Sequence, residues 1–118
     1  MRDELAAWVL RYVRCWTSNA PDDIGALFSE DARYFTAPFR EPWEGRETIV
    51  KKWLEHADEP GTWSFRFEIL GVDDRVGFVQ GWTEYHDGPR YANLWVIRFN
   101  EAGECAEFTE WWMKPSNA

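Results

Sequence analysis

The chain has 118 residues, which is enough for a single domain, residues 1–118, with a hydrophobic core of its own. Hydrophobic residues make up 45% and charged residues 29%, the balance of a folded globular protein. The formal net charge of −8, with no basic stripe in the sequence, argues against nucleic acid and anionic membrane surfaces as partners.

The first half of the chain has mainly helical patterns. Apolar residues at helical spacing predict a first helix over Asp3–Thr17. Pro21, followed by two aspartates, begins a short second helix that extends to Phe28. The segment ARYFT, residues 32–36, is a short strand candidate, and prolines and a glycine break the loop APFREPWEG after it. A third helix runs from about Arg46 to Ala57.

In the second half the period of the apolar residues changes from helical to two. Alternation predicts a half-buried strand over residues 63–69, and further strands follow over 75–86, 90–99 and 104–113. Short turns rich in Gly, Asp and Asn separate them, the first over Gly71–Asp74. Helices followed by an antiparallel meander predict an α+β domain.

The cysteines and histidines show no metal or disulfide pattern. Cys15 and Cys105 are the only two cysteines, and we expect them to be small buried residues in a reducing cytoplasm. His56 and His86 lie on separate elements without HxxxH or HxH spacing, so we predict no metal site and no cofactor, and we leave their roles open. Without a signal peptide pattern or a long apolar stretch, the expected location is cytoplasmic.

Four segments together carry a family resemblance, namely RYVRCW, PDDIGALFSEDARYF, EGRETIVKKWL and WVIRFNEAGECAEFTEWW. Their order and spacing cover most of the chain and resemble the nuclear transport factor 2-like fold, whose relatives include the ketosteroid isomerases and the SnoaL-like polyketide cyclases. The resemblance implies three N-terminal helices in the concave face of a curved, mostly antiparallel sheet. It also implies that this α+β cone encloses a pocket for a small, mostly apolar molecule.

The isomerases of this family need a carboxylate base, a tyrosine and a protonated carboxylic acid. The resemblance places these groups at Thr36, Tyr12 and Trp95 of this chain. Only Tyr12 has the required chemistry, because neither Thr36 nor Trp95 is a carboxylic acid. The resemblance therefore implies the fold without the isomerase chemistry in its usual form.

The same resemblance assigns the faces of the last two strands. Because side chains alternate along a strand, residues that share the inward face with Trp95 are Tyr91, Asn93, Ile97 and Phe99. The resemblance also places Trp112 in the pocket, together with Phe108 and Glu110. The residues expected to face away are Cys105, Glu107, Thr109 and Trp111, and a bulge would reverse this parity.

Glu110 is the leading candidate for acid or base chemistry. It lies between Phe108 and Trp112, where desolvation would raise its pKa and make it a useful proton donor or acceptor. The other interpretation is an acid at the cavity rim, bonded to a tryptophan N–H or paired with an arginine, namely Arg98, Arg46 or Arg40.

The remaining candidates are ligand-binding residues. Tyr12 can donate a hydrogen bond into the pocket, or its hydroxyl can be satisfied by backbone. Tyr34 and Thr36 share a face of the first strand, and both are expected to line the cavity. Asn93 can hold Glu110 or a ligand carbonyl, or be a satisfied structural amide. Strand parity is open around Trp82, and we expect this side chain to face inward.

Three functions remain open from the sequence. The first is a SnoaL-like enzyme, an isomerase, cyclase, hydrolase or dehydratase, acting on a small apolar substrate. The second is a ligand-binding or assembly module without chemistry, favoured by the two missing carboxylates and by nine tryptophans. The third is a dimeric domain whose aromatic residues fill the cone. In each case the outer sheet face predicts a homodimer interface formed by Leu94, Val96, Thr109 and Trp111.

Overall fold

The computed structural model describes residues 1–117. Within them the helices are α1 (Arg2–Ser18), α2 (Pro21–Ala26) and α3 (Arg46–Glu55). The strands are β1 (Phe28–Phe35), β2 (Trp43–Glu44), β3 (Trp63–Asp73), β4 (Val76–Tyr85), β5 (Arg90–Phe99) and β6 (Cys105–Met113), and a short 3-10 helix follows over Pro115–Asn117. The predicted α+β class, with helices packed against a curved sheet, is confirmed.

All six strands form one sheet in the order β2-β1-β6-β5-β4-β3. Strands β3 to β6 form an antiparallel meander, β1 pairs in parallel with β6, and β2 pairs antiparallel with β1. The turns of the meander use left-handed backbone conformations, with φ of 52° at Asp74 and 81° at Gly103. The sheet is therefore mixed, and the single parallel pair joins the helical half of the chain to the meander.

Helix α1 covers the concave face of the sheet with its apolar side. Its buried residues recur at helical spacing, and acidic residues occupy its first turn, where the helix dipole favours negative charge. The ring of Trp8 lies 5.8–6.1 Å from those of Phe28, Phe99 and Phe108, and its indole N–H donates to the carbonyl of Leu27 at 3.0 Å. An aromatic core thus closes the narrow end of the cone.

Strand β1 is longer than predicted, and a strand that was not predicted pairs with it. Phe28, predicted as the end of the second helix, instead begins β1 and pairs with Cys105. Residues 43–44, predicted as loop, form β2 against Arg33 and Tyr34. Both corrections have the same cause, because pairing with distant strands overrides the weak local signals of short segments.

Two bulges change the predicted course of the meander. Strand β3 continues through the predicted turn at Gly71 to Asp73, with a register shift between Ile69 and Gly71. Near the start of β6, Glu107 pairs with Arg98 of β5, but Cys105 pairs with the next residue, Phe99. One residue of β6 between Cys105 and Glu107 is therefore unpaired. Cys105 is therefore fully buried on the inner side, and its predicted outward orientation was wrong.

Candidate functional site

The wide end of the cone holds an open cavity of about 420 Å³, within the usual range of small-molecule pockets. It lies between the inner faces of β4, β5 and β6 and the side chains of α1 and α3. Most of the predicted site residues line it, namely Tyr12, Tyr34, Thr36, Tyr91, Asn93, Trp95, Glu110 and Trp112. The structure thus brings these side chains together, while their roles stay predictions.

Two predicted site residues lie elsewhere. Phe108 faces inward as predicted, but it is fully buried beneath the cavity, with its ring 4.6 Å from that of Tyr34. The predicted inward orientation of Trp82 was wrong, because the inner side chains of β4 are those of Val79, Thr83 and Tyr85. Trp82 lies on the outer face, where the Arg66 guanidinium carbon is 4.0 Å from its ring centre.

A chain of hydrogen bonds crosses three strands and ends at the carboxyl group of Glu110. The Thr83 hydroxyl donates to the side-chain oxygen of Asn93 at 2.8 Å, and the Asn93 amide donates to Glu110 Oε1 at 3.2 Å. Thr83 and Asn93 are both buried. The second oxygen, Glu110 Oε2, is buried without a hydrogen-bond partner within the described residues. One side of the carboxyl group is therefore fixed, and the other is unused.

Burial changes the protonation of Glu110. Desolvation raises the pKa of its carboxyl group from about 4.5 to about 8, and the nearby N–H groups of Trp95 and Asn93 counteract this only in part. None of the three predicted arginines pairs with it within residues 1–117. Arg98 is 3.8 Å from Glu107, Arg46 is 2.9 Å from Glu104, and Arg40 lies over the ring of Trp112. Glu110 is therefore mainly protonated at neutral pH and can donate a hydrogen bond.

Trp95 provides a second polar group next to Glu110. These two residues are direct cross-strand partners in the β5–β6 pair. The buried indole N–H of Trp95 lies close enough to the Glu110 carboxyl group to lower its pKa, but within residues 1–117 it forms no hydrogen bond of good geometry. Since nearly all buried polar groups in proteins are well hydrogen-bonded, this poorly formed contact between an N–H and a carboxyl oxygen on neighbouring strands requires explanation.

The hydroxyl groups of Tyr12 and Tyr34 form a pair 2.6 Å apart. Tyr12 thus bonds to a side chain, not to backbone. Desolvation raises the pKa of Tyr34 and of Tyr12 well above the ordinary value, so both hydroxyls stay neutral. Each hydroxyl group has one proton, and the hydrogen bond between them uses only one of the two. The pair therefore retains one O–H group that can donate to another acceptor. The Tyr34 ring is held by stacking on Trp43, with centroids 4.9 Å apart.

Asp58 is a polar site residue that was not predicted from the sequence. Its Oδ2 accepts hydrogen bonds from the indole N–H of Trp16 at 3.0 Å and from the hydroxyl of Tyr85 at 2.9 Å. The three residues come from α1, the loop before β3 and the end of β4. Nothing in the local sequence around Asp58 indicates this role, because both donors are distant along the chain.

Basic side chains border the mouth of the cavity. The Arg40 guanidinium carbon lies 5.8 Å from the ring centre of Trp112, and Lys114 Nζ lies 5.7 Å from that of Tyr91. His56 is exposed, yet it lines the mouth and stacks on Trp43 with ring centres 5.9 Å apart. His86 is exposed and lies outside the cavity lining.

Within the described residues, neither a metal-binding cluster nor a membrane-spanning helix is found. Among residues 1–117, no three His, Cys, Asp or Glu side chains converge as a metal site would require. None of the helices described is both long and apolar enough to cross a membrane.

The sequence of the chain was compared with protein families and with curated proteins. The SnoaL-like domain model matches residues 9–108 of the chain. A search of curated proteins gave no match.

Several solved structures have the same fold at low sequence identity. An NTF-2 like protein of unknown function from Burkholderia xenovorans is 15% identical, with a TM-score of 0.78 over 99% of this chain and 88% of that one. A steroid delta-isomerase from Pseudomonas aeruginosa is 14% identical, with a TM-score of 0.71 over 97% and 82%. A ketosteroid isomerase-like protein from Erwinia carotovora is 16% identical, with a TM-score of 0.68 over 93% and 94%. At these identities the likeness concerns the fold alone.

Proposed function

The chain belongs to the SnoaL-like domain family, and we propose that it binds a small, mostly apolar molecule with an oxygen atom that is hydrogen-bonded by Glu110 and Trp95. The single observation behind this proposal is the poorly formed contact between Glu110 Oε2 and Trp95 Nε1, two buried atoms on adjacent strands that border the cavity, which a ligand oxygen would replace with well-formed hydrogen bonds. A ligand carbonyl or hydroxyl oxygen would accept hydrogen bonds from the indole N–H and from the protonated carboxyl group. Aromatic walls would bury the rest of the molecule.

The open cavity favours ligand binding over a cone filled by its own side chains. A space of about 420 Å³ remains although Trp95 and Trp112 both contribute to its wall. Trp82 takes up none of this space, since it faces the other side of the sheet.

We further propose acid–base chemistry by Glu110 as the catalytic form of this function. A carboxyl group with a pKa of about 8 exchanges its proton near neutral pH, as a general acid or base requires. With Thr36 at the position of the family's base, proton transfer would depend on Glu110, and the free donor of the Tyr12–Tyr34 pair would polarise the ligand oxygen. This arrangement fits an isomerase, cyclase or hydrolase reaction. The alternative is a domain that binds the ligand through the same contacts and catalyses no reaction.

A matched pair of ligands tests the binding proposal. The bicyclic ketone 1-tetralone and the hydrocarbon tetralin differ at one carbonyl group, so their affinity ratio, measured by NMR titration, reports on the polar contact. We expect about fivefold to tenfold tighter binding of the ketone, the value of one hydrogen bond in a buried site. Glu110→Leu and Trp95→Phe should each reduce that ratio, while the affinity for tetralin should stay nearly constant.

Glu107→Gln is the matched control, because Glu107 is an acid on the same strand but on the outer face, 2.7 Å from Arg33. It should leave both affinities unchanged. Equal binding of the two ligands by the wild type, or a ratio that survives Glu110→Leu, would contradict the proposed contact.

We also propose a homodimer through the outer face of the sheet. Two cross-strand rows there, Leu94 with Trp111 and Val96 with Thr109, form an apolar patch, and the Trp111 side chain is 48% exposed. Exposed apolar patches of this kind usually mark interfaces. Pairing of two copies would bury the patch.

A further inference from the structure

Two basic side chains lie on the same rim of the cavity, although the protein has a net charge of −8. Arg40 lies over the ring of Trp112, and Lys114 lies over that of Tyr91. The rings of Tyr91 and Trp112 meet edge to face, with centroids 5.9 Å apart. The aromatic pair therefore holds two positive charges at one side of the mouth.

Among the described residues, these two cations have no acidic partner. Within residues 1–117, neither Arg40 nor Lys114 has a carboxylate oxygen within 4.0 Å, and neither side chain donates a hydrogen bond. An arginine with a structural role has such partners. Arg46, for example, donates to the carbonyl of Phe28 at 2.8 and 3.0 Å and pairs with Glu104 at 2.9 Å.

The acids of the cavity offset the charge of this rim only in part. Asp58 lies in the same lining, and two neutral donors, the indole of Trp16 and the hydroxyl of Tyr85, bond to its carboxylate. Glu110 lies deeper and is mainly uncharged at neutral pH, as described above. With Arg40 and Lys114 against the one carboxylate of Asp58, the lining has an excess of positive charge, which favours an anionic group at the mouth of an otherwise acidic protein.

We propose that the ligand of this cavity is an amphipathic acid, with an apolar ring body inside the cone and a carboxylate or similar anionic group held at the mouth by Arg40 and Lys114. The inference rests on the proposed function, because it names the class of molecule that the same cavity takes. The two ends of the ligand meet different chemistry. Glu110 and Trp95 provide neutral donors at the floor, and the two cations provide charge at the solvent boundary.

A pair of fluorescent probes separates charge from apolar burial. The anion 8-anilinonaphthalene-1-sulfonate and the neutral N-phenyl-1-naphthylamine share one ring system and differ by the sulfonate. Fluorescence titration of Arg40→Gln, Lys114→Gln and the double variant measures both affinities, and displacement by 1-tetralone identifies the probe bound in the cavity. Each exposed charge contributes about twofold to fivefold, so the double variant should lose about tenfold in affinity for the anion. Its affinity for the neutral probe should stay within about twofold.

Arg66→Gln provides the control. Arg66 also lies over a tryptophan, 4.0 Å from the ring centre of Trp82, but on the opposite face of the same sheet. This variant should leave the affinity for both probes unchanged, and raised salt should weaken binding of the anionic probe alone.

The outcomes distinguish the two proposals. If 1-tetralone fails to displace the anionic probe, or if the double variant binds it as tightly as the wild type, the anionic ligand class is wrong while the cavity itself stands. If neither the neutral probe nor 1-tetralone binds, the proposed function fails, and the inference fails with it.

Discussion

The replacement of Glu110 by glutamine should make the folded protein more stable at alkaline pH. Glutamine has the shape of the protonated carboxyl group, and its oxygen can still accept the hydrogen bond from Asn93 that Glu110 Oε1 accepts at 3.2 Å. Unlike glutamate, it cannot ionise. The variant therefore removes the cost of a buried negative charge and changes little else in the cavity.

The size and sign of the effect follow from the pKa of Glu110. In the unfolded chain the carboxyl group releases its proton near pH 4.5, and in the folded protein near pH 8. Between these values the folded state holds a proton that the unfolded state has lost, so the free energy of unfolding falls as pH rises. At about 1.36 kcal/mol for each pH unit, the full loss is roughly 5 kcal/mol, complete above pH 8 and absent below pH 4.5. Because the cavity is open to water, we expect about 2–5 kcal/mol.

Urea denaturation at half-unit steps from pH 5 to pH 9 measures this effect. The difference in free energy of unfolding between Glu110→Gln and wild type should be below about 1 kcal/mol at pH 5 and grow steadily to pH 8, because the titrations of all other groups cancel. Glu107→Gln, which removes a half-buried acid of the outer face paired with Arg33, should show no such growth. Parallel stability profiles for Glu110→Gln and wild type would refute a neutral Glu110 with a desolvated carboxyl group.

Three further changes test other parts of the structure. Trp111→Glu should convert a dimer to a monomer in sedimentation at micromolar concentration, and a wild type that is already monomeric would remove the proposed interface. Gly81→Ala should lower the free energy of unfolding by about 1–3 kcal/mol in urea denaturation, since a Cβ at this site would lie 2.5 Å from the ring of Phe65; unchanged stability would mean that this close contact is not formed. Thr83→Ala should cost about 1–2 kcal/mol, because it removes the 2.8 Å hydrogen bond to the buried amide of Asn93, and a neutral result would argue against the hydrogen-bond chain.

The inward-facing residues of β5 and of the end of β6 could be predicted because the family resemblance gave the position of one residue on each strand. Trp95 and Trp112 were placed by the resemblance, and strict alternation then fixed the side of Asn93 and Glu110. On these two strands, alternation gave the wrong face only for Cys105, which lies next to the bulge. A single extra residue cannot be read from alternation when the segment around it is mixed in polarity.

The face of β4 could not be predicted, because glycines occupy two of its inward positions. A Cβ at Gly77 would lie 2.6 Å from Leu5, and one at Gly81 would lie 2.5 Å from Phe65. Side chains from α1 and β3 thus fill the space that larger residues of β4 would need. The large apolar residues of this strand are mostly on the outer face, so its hydrophobic pattern indicated the wrong side, and Trp82 was misplaced with it.

The polar contacts of the site were the least predictable feature. Asp58 meets its two donors, from Trp16 and Tyr85, only through the closure of the sheet around α1. The sequence predicted that Glu110 is an acid between aromatic residues. Which of its carboxyl oxygens is hydrogen-bonded depends on the positions of Asn93 and Trp95. Such details arise from tertiary packing, which sequence periodicity does not specify.

The most direct test of a neutral, ligand-facing Glu110 is its own titration. Carbon-13 NMR of protein labelled at the glutamate carboxyl carbons, with Glu110→Gln to assign the signal, gives the pKa of this group without reference to stability. The proposed site predicts a carboxyl signal that titrates near pH 8. A signal that titrates near pH 4.5, like that of an exposed glutamate, would contradict it.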